Sequence, residues 1–198
     1  MPLKITLVGS RFFGAAVLDK LAALDVQVLR VVAPAADDRL ALRAQALGIP
    51  VHLQQDPRHV PADEIADGSE LIVCAHTHAR IDADALGKAR LGGIGYHPSL
   101  LPRHRGIAAV EWTIKCGDAI AGGSIYHLAE RMDAGAIAAQ DWCFVKPAET
   151  ARELWERALA PLGIRLLTQV VAQASATGTL PAQPQDEQFA TLAPRLRT

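Results

Sequence analysis

Short β-branched runs alternate with helix-period stretches through the first half of the sequence, and few folds accept that order. Leu3 to Val8 is an apolar run closed by Gly9, the pattern of a buried strand. Phe12 to Leu24 follows, with Phe13, Val17, Leu21 and Leu24 at helical spacing. Val26 to Val32 reads as a strand, and Asp37 to Leu47 as a helix that an aspartate can cap and Gly48 can end. Ile49 to Leu53 is a short strand. Gln54 to Ser69 has room for one weak helix. Glu70 to Ala75 is a strand, Asp82 to Ala89 a short helix, and Gly92 to His97 a further strand. Strand and helix in alternation predict an α/β chain with an open, mostly parallel, Rossmann-like sheet covered by helices.

The second half changes character. Ile107 to Cys116 is helical, and Ser124 to Ala129 and Ala136 to Val145 predict a late β-hairpin turning around Asp133 and Gly135. Glu149 to Ala176 is a long helical stretch in which Pro161 and Gly163 force a break or kink. Thr150, with Glu153 three residues on, can cap it. From Gly178 the chain is rich in proline and glutamine, which predicts a course over the surface.

Composition excludes several function classes. Of 198 residues 50% are hydrophobic, and 20 basic against 21 acidic side chains leave a net charge of −1. That rules out a disordered chain and gives no overall field for a general nucleic-acid binder. No run approaches the ~18 apolar residues of a membrane span, and the first residues lack the length of a secretory signal. Cys74, Cys116 and Cys143 are odd in number and far apart, which fits reduced thiols in a cytoplasmic protein. His76-Thr77-His78 has no third ligand at a metal spacing, so no metal is expected.

In an open α/β sheet, ligands bind beyond the carboxyl ends of the strands. That selects the loops Gly9 to Gly14, His76 to Arg80, and His97 to Gly106. The first lacks the G-x-G-x-x-G pattern and carries two phenylalanines, so it reads as a strand-to-helix turn or a substrate-contacting turn. The third is the most informative. Pro98 and Pro102 predict an extended loop, with Leu100 and Leu101 exposed unless the loop packs back. His97 ends a buried strand and projects into the cleft, where a hairpin-turn Asp133 can orient it as an acid/base pair.

His97-Pro98-Ser99-Leu100-Leu101-Pro102-Arg103-His104-Arg105-Gly106 resembles the signature loop of the formyltransferases that use 10-formyltetrahydrofolate, among them the glycinamide ribonucleotide, methionyl-tRNA and sugar-nucleotide enzymes. Gly9 to Gly14, Arg90-Leu91-Gly92-Gly93-Ile94 and the tail Pro184 to Glu187 with Ala190 to Pro194 are similar to the methionyl-tRNA branch. Asp133 stands 36 positions after His97, the family's spacing for its catalytic pair. The resemblance implies a catalytic domain over 1–177 with a tail over 178–198 and no C-terminal barrel domain. It implies 10-formyltetrahydrofolate as formyl donor and His97 and Asp133 as catalytic residues. It places the pterin against Cys74, His76, His78, Arg80 and Ile81 and against the turn carrying Leu128 and Glu130.

One departure from the family pattern matters. The family's third catalytic residue is an asparagine two positions before the histidine, and here that position is Gly95. Losing one oxyanion donor costs on the order of 10² to 10³ in rate. Water, or Tyr96, Tyr126 or His127, can replace it; alternatively the chain hydrolyses the donor, or binds folate without turnover. The loop after the first strand lacks the glycine-rich phosphate cradle of the ribonucleotide enzymes. Net charge near zero disfavours tRNA. A small amine acceptor is the expectation that remains.

Overall fold

The computed structural model describes Met1–Leu196. The elements follow in the expected order: β1 (Leu3–Gly9), α1 (Arg11–Leu21), β2 (Val26–Ala33), α2 (Arg39–Ala46), β3 (Val51–Leu53), β4 (His59–Val60), β5 (Leu71–Ala75), β6 (Arg80–Ile81), α3 (Ala83–Gly87) and β7 (Gly93–His97). Then come α4 (Ala109–Lys115), β8 (Ile120–His127), β9 (Ile137–Phe144), α5 (Ala151–Leu154) and α6 (Ala160–Thr177). The weak helix expected in 54–69 is only a 3₁₀ turn, Ala62–Glu64, beside the two-residue strand β4. Two compact units divide the chain.

The first unit comprises 1–95 and 168–180. Its strands stand in the order β3-β2-β1-β5-β7, and each neighbouring pair is parallel. β1 and β5 are apolar on both faces because helices cover a parallel sheet on both sides; only Lys4 of β1 is not buried. Helix α1 turns Phe13, Val17, Leu18 and Leu21 inward at helical spacing. Asp38 caps α2, its carboxylate accepting from the Leu40 amide, and Gly48 at φ +69° ends the turn. Asp82 precedes α3 without capping it, because its carboxylate meets His59 Nδ1 at 3.0 Å instead.

The second unit comprises 96–167 and the chain from 181 on. β7 ends in it, next to β8, and β8 pairs antiparallel with β9. The mostly parallel α/β sheet with a late hairpin is therefore the observed architecture. Val110, Ala121, Leu154 and Leu159 form a buried core cluster there. Thr150 and Glu153 form the expected capping box. The break in the long helix falls earlier than the proline: Trp155–Leu159 is a single π turn. The Pro161 ring crowds the carbonyl four residues back, at Arg157, so the distortion sits in the preceding turn.

One expectation needs correction here. The loop after His97 is turned and not extended: Arg103 N donates to Leu100 O, Ser99 Oγ donates to Arg103 O, and Leu101 is buried. The tail runs over the surface as expected, and backbone bonds tie it down there. Gln183 pairs with Ile137 through both backbone groups, Thr191 N donates to Pro102 O, and Ala193 exchanges backbone bonds with Arg105 and Ala108. Backbone hydrogen bonding, invisible in composition, holds this polar segment in place.

Candidate active site

β7 delivers His97 at its last residue, and the residue is 6% exposed. Its Nε2 donates to the His104 carbonyl at 2.8 Å. Nδ1 is thereby the ring atom left facing Asp133, whose Oδ2 lies 3.6 Å away. Asp133 is 7% exposed and sits at φ +54° in the turn after β8, a conformation a non-glycine residue holds only where its surroundings impose it. Its Oδ2 accepts from the Gly106 amide at 2.8 Å. Among the described residues no hydrogen bond falls on its Oδ1. The pair thus has one committed imidazole nitrogen, one facing the carboxylate, and one carboxylate oxygen open to a proton.

The hairpin holds the loop that holds the histidine. Ser124 and Gln140 face each other across β8 and β9. Ser124 Oγ donates to Ser99 O at 2.6 Å and accepts from Leu101 N; Gln140 Nε2 donates to Leu101 O. His104, at φ +56°, places its ring on Asp118 Oδ2 at 2.7 Å while its Nδ1 is buried and unpaired. Burial pushes the Asp118 carboxyl up, but bonds from His104 and Arg103 outweigh that and hold it below its ordinary value. Arg105 is buried and forked onto Gln185 and Glu187 of the tail. Sequence reasoning did not single out Ser124, Gln140, Asp118 or Gln185; the basic run Arg103-His104-Arg105, which needs acceptors, was the signal for three acidic or amide partners.

The side chains considered as replacements for the missing asparagine are Tyr96, Tyr126 and His127. The Tyr96 hydroxyl donates to Leu159 O at 2.7 Å, and His127 Nε2 donates to Pro181 O at 2.8 Å. Tyr126 lies edge-on to the His97 ring, centroids 6.4 Å apart. Leu128 is half-buried and Glu130 exposed in the segment leading to Asp133.

The remaining predicted contacts lie in the first unit. Cys74 is buried near the end of β5, its thiol pushed up to about 12 by burial, so it is an inert packing group. His76, at φ +62°, is fixed by Ser10, whose Oγ lies 3.1 Å from Nδ1 and donates to the His76 carbonyl. Burial first, then the neighbouring His78 and Arg11, lower the His76 imidazole and keep it neutral near pH 7. His78 meets the His76 ring edge-on, Arg80 is exposed on β6 and Ile81 is buried. Among the described residues no three His, Cys, Asp or Glu side chains gather as a metal would need.

The loop Gly9 to Gly14 is a packing turn. A Cβ at Gly9 would lie 2.1 Å from the Ala75 carbonyl oxygen, so only glycine fits between β1 and β5. The Arg11 amide at the start of α1 is already taken by both oxygens of the Asp38 carboxylate, which would repel an incoming phosphate.

Residues 4–171 match the family model described as formyl transferase. The chain belongs to the formyl transferase family. It is 38% identical over 202 residues to the mitochondrial 10-formyltetrahydrofolate dehydrogenase of Mus musculus, covering 96% of this chain and 22% of that protein. It is 29% identical to the methionyl-tRNA formyltransferase of Lactobacillus delbrueckii subsp. bulgaricus, covering 97% of this chain and 64% of that one. The chain therefore spans about a fifth of the curated relatives it matches first. In three dimensions it resembles phosphoribosylglycinamide formyltransferase from Bacillus halodurans, with a TM-score of 0.75, 19% identity, and 88% and 96% of the two chains covered. It also resembles the N-formyltransferase from Helicobacter canadensis, with a TM-score of 0.78 and 16% identity over 98% and 71% of the chains. These two likenesses concern the fold. No helix of the described residues is long and apolar enough to cross a membrane.

Proposed function

We propose that this chain takes the formyl group of 10-formyltetrahydrofolate and passes it to an amine of a small acceptor, with His97 and Asp133 as the catalytic pair. The observation that carries this is their approach to 3.6 Å, both more than nine-tenths buried, on a chain matched over 4–171 to the formyl transferase family. The acceptor nitrogen attacks the formyl carbon and the carbonyl electrons move onto oxygen. His97 meets that oxyanion with its Nδ1–H. Because Nε2–H is already given to His104 O, the acting ring carries both protons. Asp133 Oδ1 takes the proton the amine loses, through water. The oxyanion collapses to C=O, the bond from carbon to the folate nitrogen breaks, and that nitrogen leaves with the electron pair and takes up, through water, the proton that Asp133 had accepted. The products are a formamide and tetrahydrofolate.

The donor's pterin is assigned to the segment Cys74 to Ile81, including His76, His78 and Arg80, and to Leu128 and Glu130. A half-buried neutral His76 is suited to hydrogen bonding rather than to charge pairing. Three free cysteines fit the cytoplasmic setting expected for such an enzyme.

Water is a second acceptor worth naming, because Gly95 supplies no side-chain donor and the relatives at 36–38% identity are named 10-formyltetrahydrofolate dehydrogenases. The test is incubation with 10-formyltetrahydrofolate, alone and with a panel of small amines. Tetrahydrofolate with an equal amount of N-formyl amine supports the proposal. Tetrahydrofolate with formate and no formylated amine assigns water. Neither product defeats both readings.

A further inference from the structure

We infer that Gln185, in the tail, is a positioning residue that sets where the Asp133 carboxylate stands relative to His97. The inference rests on the catalytic pair proposed above and concerns a residue far outside the signature loop. Asp133 occupies a left-handed conformation, φ +54°, which is unfavourable in a non-glycine residue and is held by its surroundings. The restraint is the Gln185 amide. Its Nε2 donates to the Asp133 carbonyl at 2.8 Å and to the Gly135 carbonyl at 2.7 Å, gripping the turn on both sides of Ala134. Its Oε1 accepts from Arg105 Nη2 at 2.6 Å and Nε at 3.1 Å. Arg105 is itself buried, and the next residue, Gly106, gives its amide to Asp133 Oδ2.

One side chain thereby ties the backbone of the aspartate's turn to the loop that begins at His97. The turn cannot relax by other means. A Cβ at Gly135 would lie 1.8 Å from the His127 carbonyl oxygen, so the chain is at closest approach there. Gln185 is suited to this task in a way glutamate is not. Its amide nitrogen has two N–H groups for two carbonyls, and its oxygen serves the guanidinium. A carboxylate there would face both carbonyls with lone pairs.

The experiment uses the full chain and three variants. Gln185→Leu removes both functions at similar volume. Gln185→Glu keeps the acceptor for Arg105 and removes both donors. Gln188→Leu, whose parent side chain donates within the tail to Asp186, is the control. In turnover of 10-formyltetrahydrofolate, both Gln185 variants should lose about 10- to 100-fold in kcat, as a misplacement of about 1 Å does, with KM for the donor within about threefold of the parent. The control should match the parent. Independently of turnover, the ¹⁵N resonances of the His97 ring in the ligand-free protein, assigned by their loss in His97→Gln, should move in both variants and not in the control. Parent-like kcat with unmoved His97 resonances overturns the inference. So does a loss confined to KM. If Gln185→Leu does not fold, Gln185→Glu decides. If the parent shows no turnover at all, the function proposed above fails, and the ring resonances still decide the role of Gln185.

Discussion

At the scale of single residues, the chemistry depends on which atoms are already engaged. His97 has given Nε2 to a carbonyl, and Asp133 has given Oδ2 to the Gly106 amide. What remains is Nδ1 and Oδ1, one donor and one acceptor. His97→Ala and Asp133→Asn should each lower kcat/KM by about 10² to 10⁴, the usual worth of a positioned acid or base, while circular dichroism shows an intact fold. Gly95→Asn asks a different question. If an amine is the acceptor, the added amide should raise formyl transfer by 10-fold or more, toward the ~10² to 10³ that one oxyanion donor is worth. An unchanged rate would mean that another group already serves the oxyanion. His97 was legible in sequence because a strand ran into two prolines, and Asp133 because a turn followed at a familiar interval. The left-handed backbone of His104 and Asp133 was not legible: histidine and aspartate are enriched there, but only a small share of them adopt φ above zero, so residue type does not say which ones do. Gln185 was hidden for a plainer reason: 52 residues and a long helix separate it from the turn it grips.

At the scale of elements, the glycines of β8 and α6 show how packing overrides local propensity. The hairpin strand was expected to start at Ser124 and starts at Ile120, because Gly122 and Gly123 are strand residues made small by their neighbours. A Cβ at Gly122 would lie 2.6 Å from the Leu100 side chain, and one at Gly123 2.4 Å from the Tyr96 ring. A Cβ at Gly163 in α6 would lie 2.4 Å from the same ring. Tyr96 is thus enclosed between a strand and a helix, and its hydroxyl closes onto the Leu159 carbonyl at the end of the π turn. Burial pushes this phenol above its ordinary value, so it stays a donor throughout the usable pH range. Gly163→Ala should cost about 1–3 kcal/mol by overpacking. Tyr96→Phe should cost about 1–3 kcal/mol by leaving a carbonyl without its donor. Denaturant titration measures both; a Gly163→Ala protein as stable as the parent would mean that the ring is loosely held. The sequence placed the helix break at Pro161 and Gly163, and both residues do matter. The first acts one turn upstream through the missing amide, and the second acts by making room for a tyrosine.

At the scale of the whole molecule, a net charge of −1 conceals local charge that the fold spends on the tail. Glu187 receives Arg105 through two bonds, at 2.8 and 3.0 Å, and Arg131 through one at 3.1 Å. The Arg105 bond first, and then Arg131, hold its carboxyl down to about 2, against an ordinary value of 4.5. A carboxyl depressed in the folded state stabilises fully above its unfolded pKa, and the contribution disappears as pH falls through the folded one. The window is therefore pH 4.5 down to about 2. Glu187 is half exposed, so solvent screening makes the effect modest. Its partner Arg105 is buried, however, and protonating Glu187 leaves that guanidinium with only the Gln185 oxygen. Glu187→Gln should lower Tm near neutral pH and should flatten the fall of Tm between pH 4.5 and 2 relative to the parent. Thermal unfolding of both proteins across pH 2 to 6 tests this, and parallel curves would remove Glu187 from the acid response. In that event the tail would be held without Glu187, by its backbone bonds to Pro102, Arg105, Ala108 and Ile137 and by the Gln185 side chain. Acid sensitivity would then be sought at Asp118, whose carboxyl is also lowered once its bonds to His104 and Arg103 outweigh burial, and which lies under the same loop.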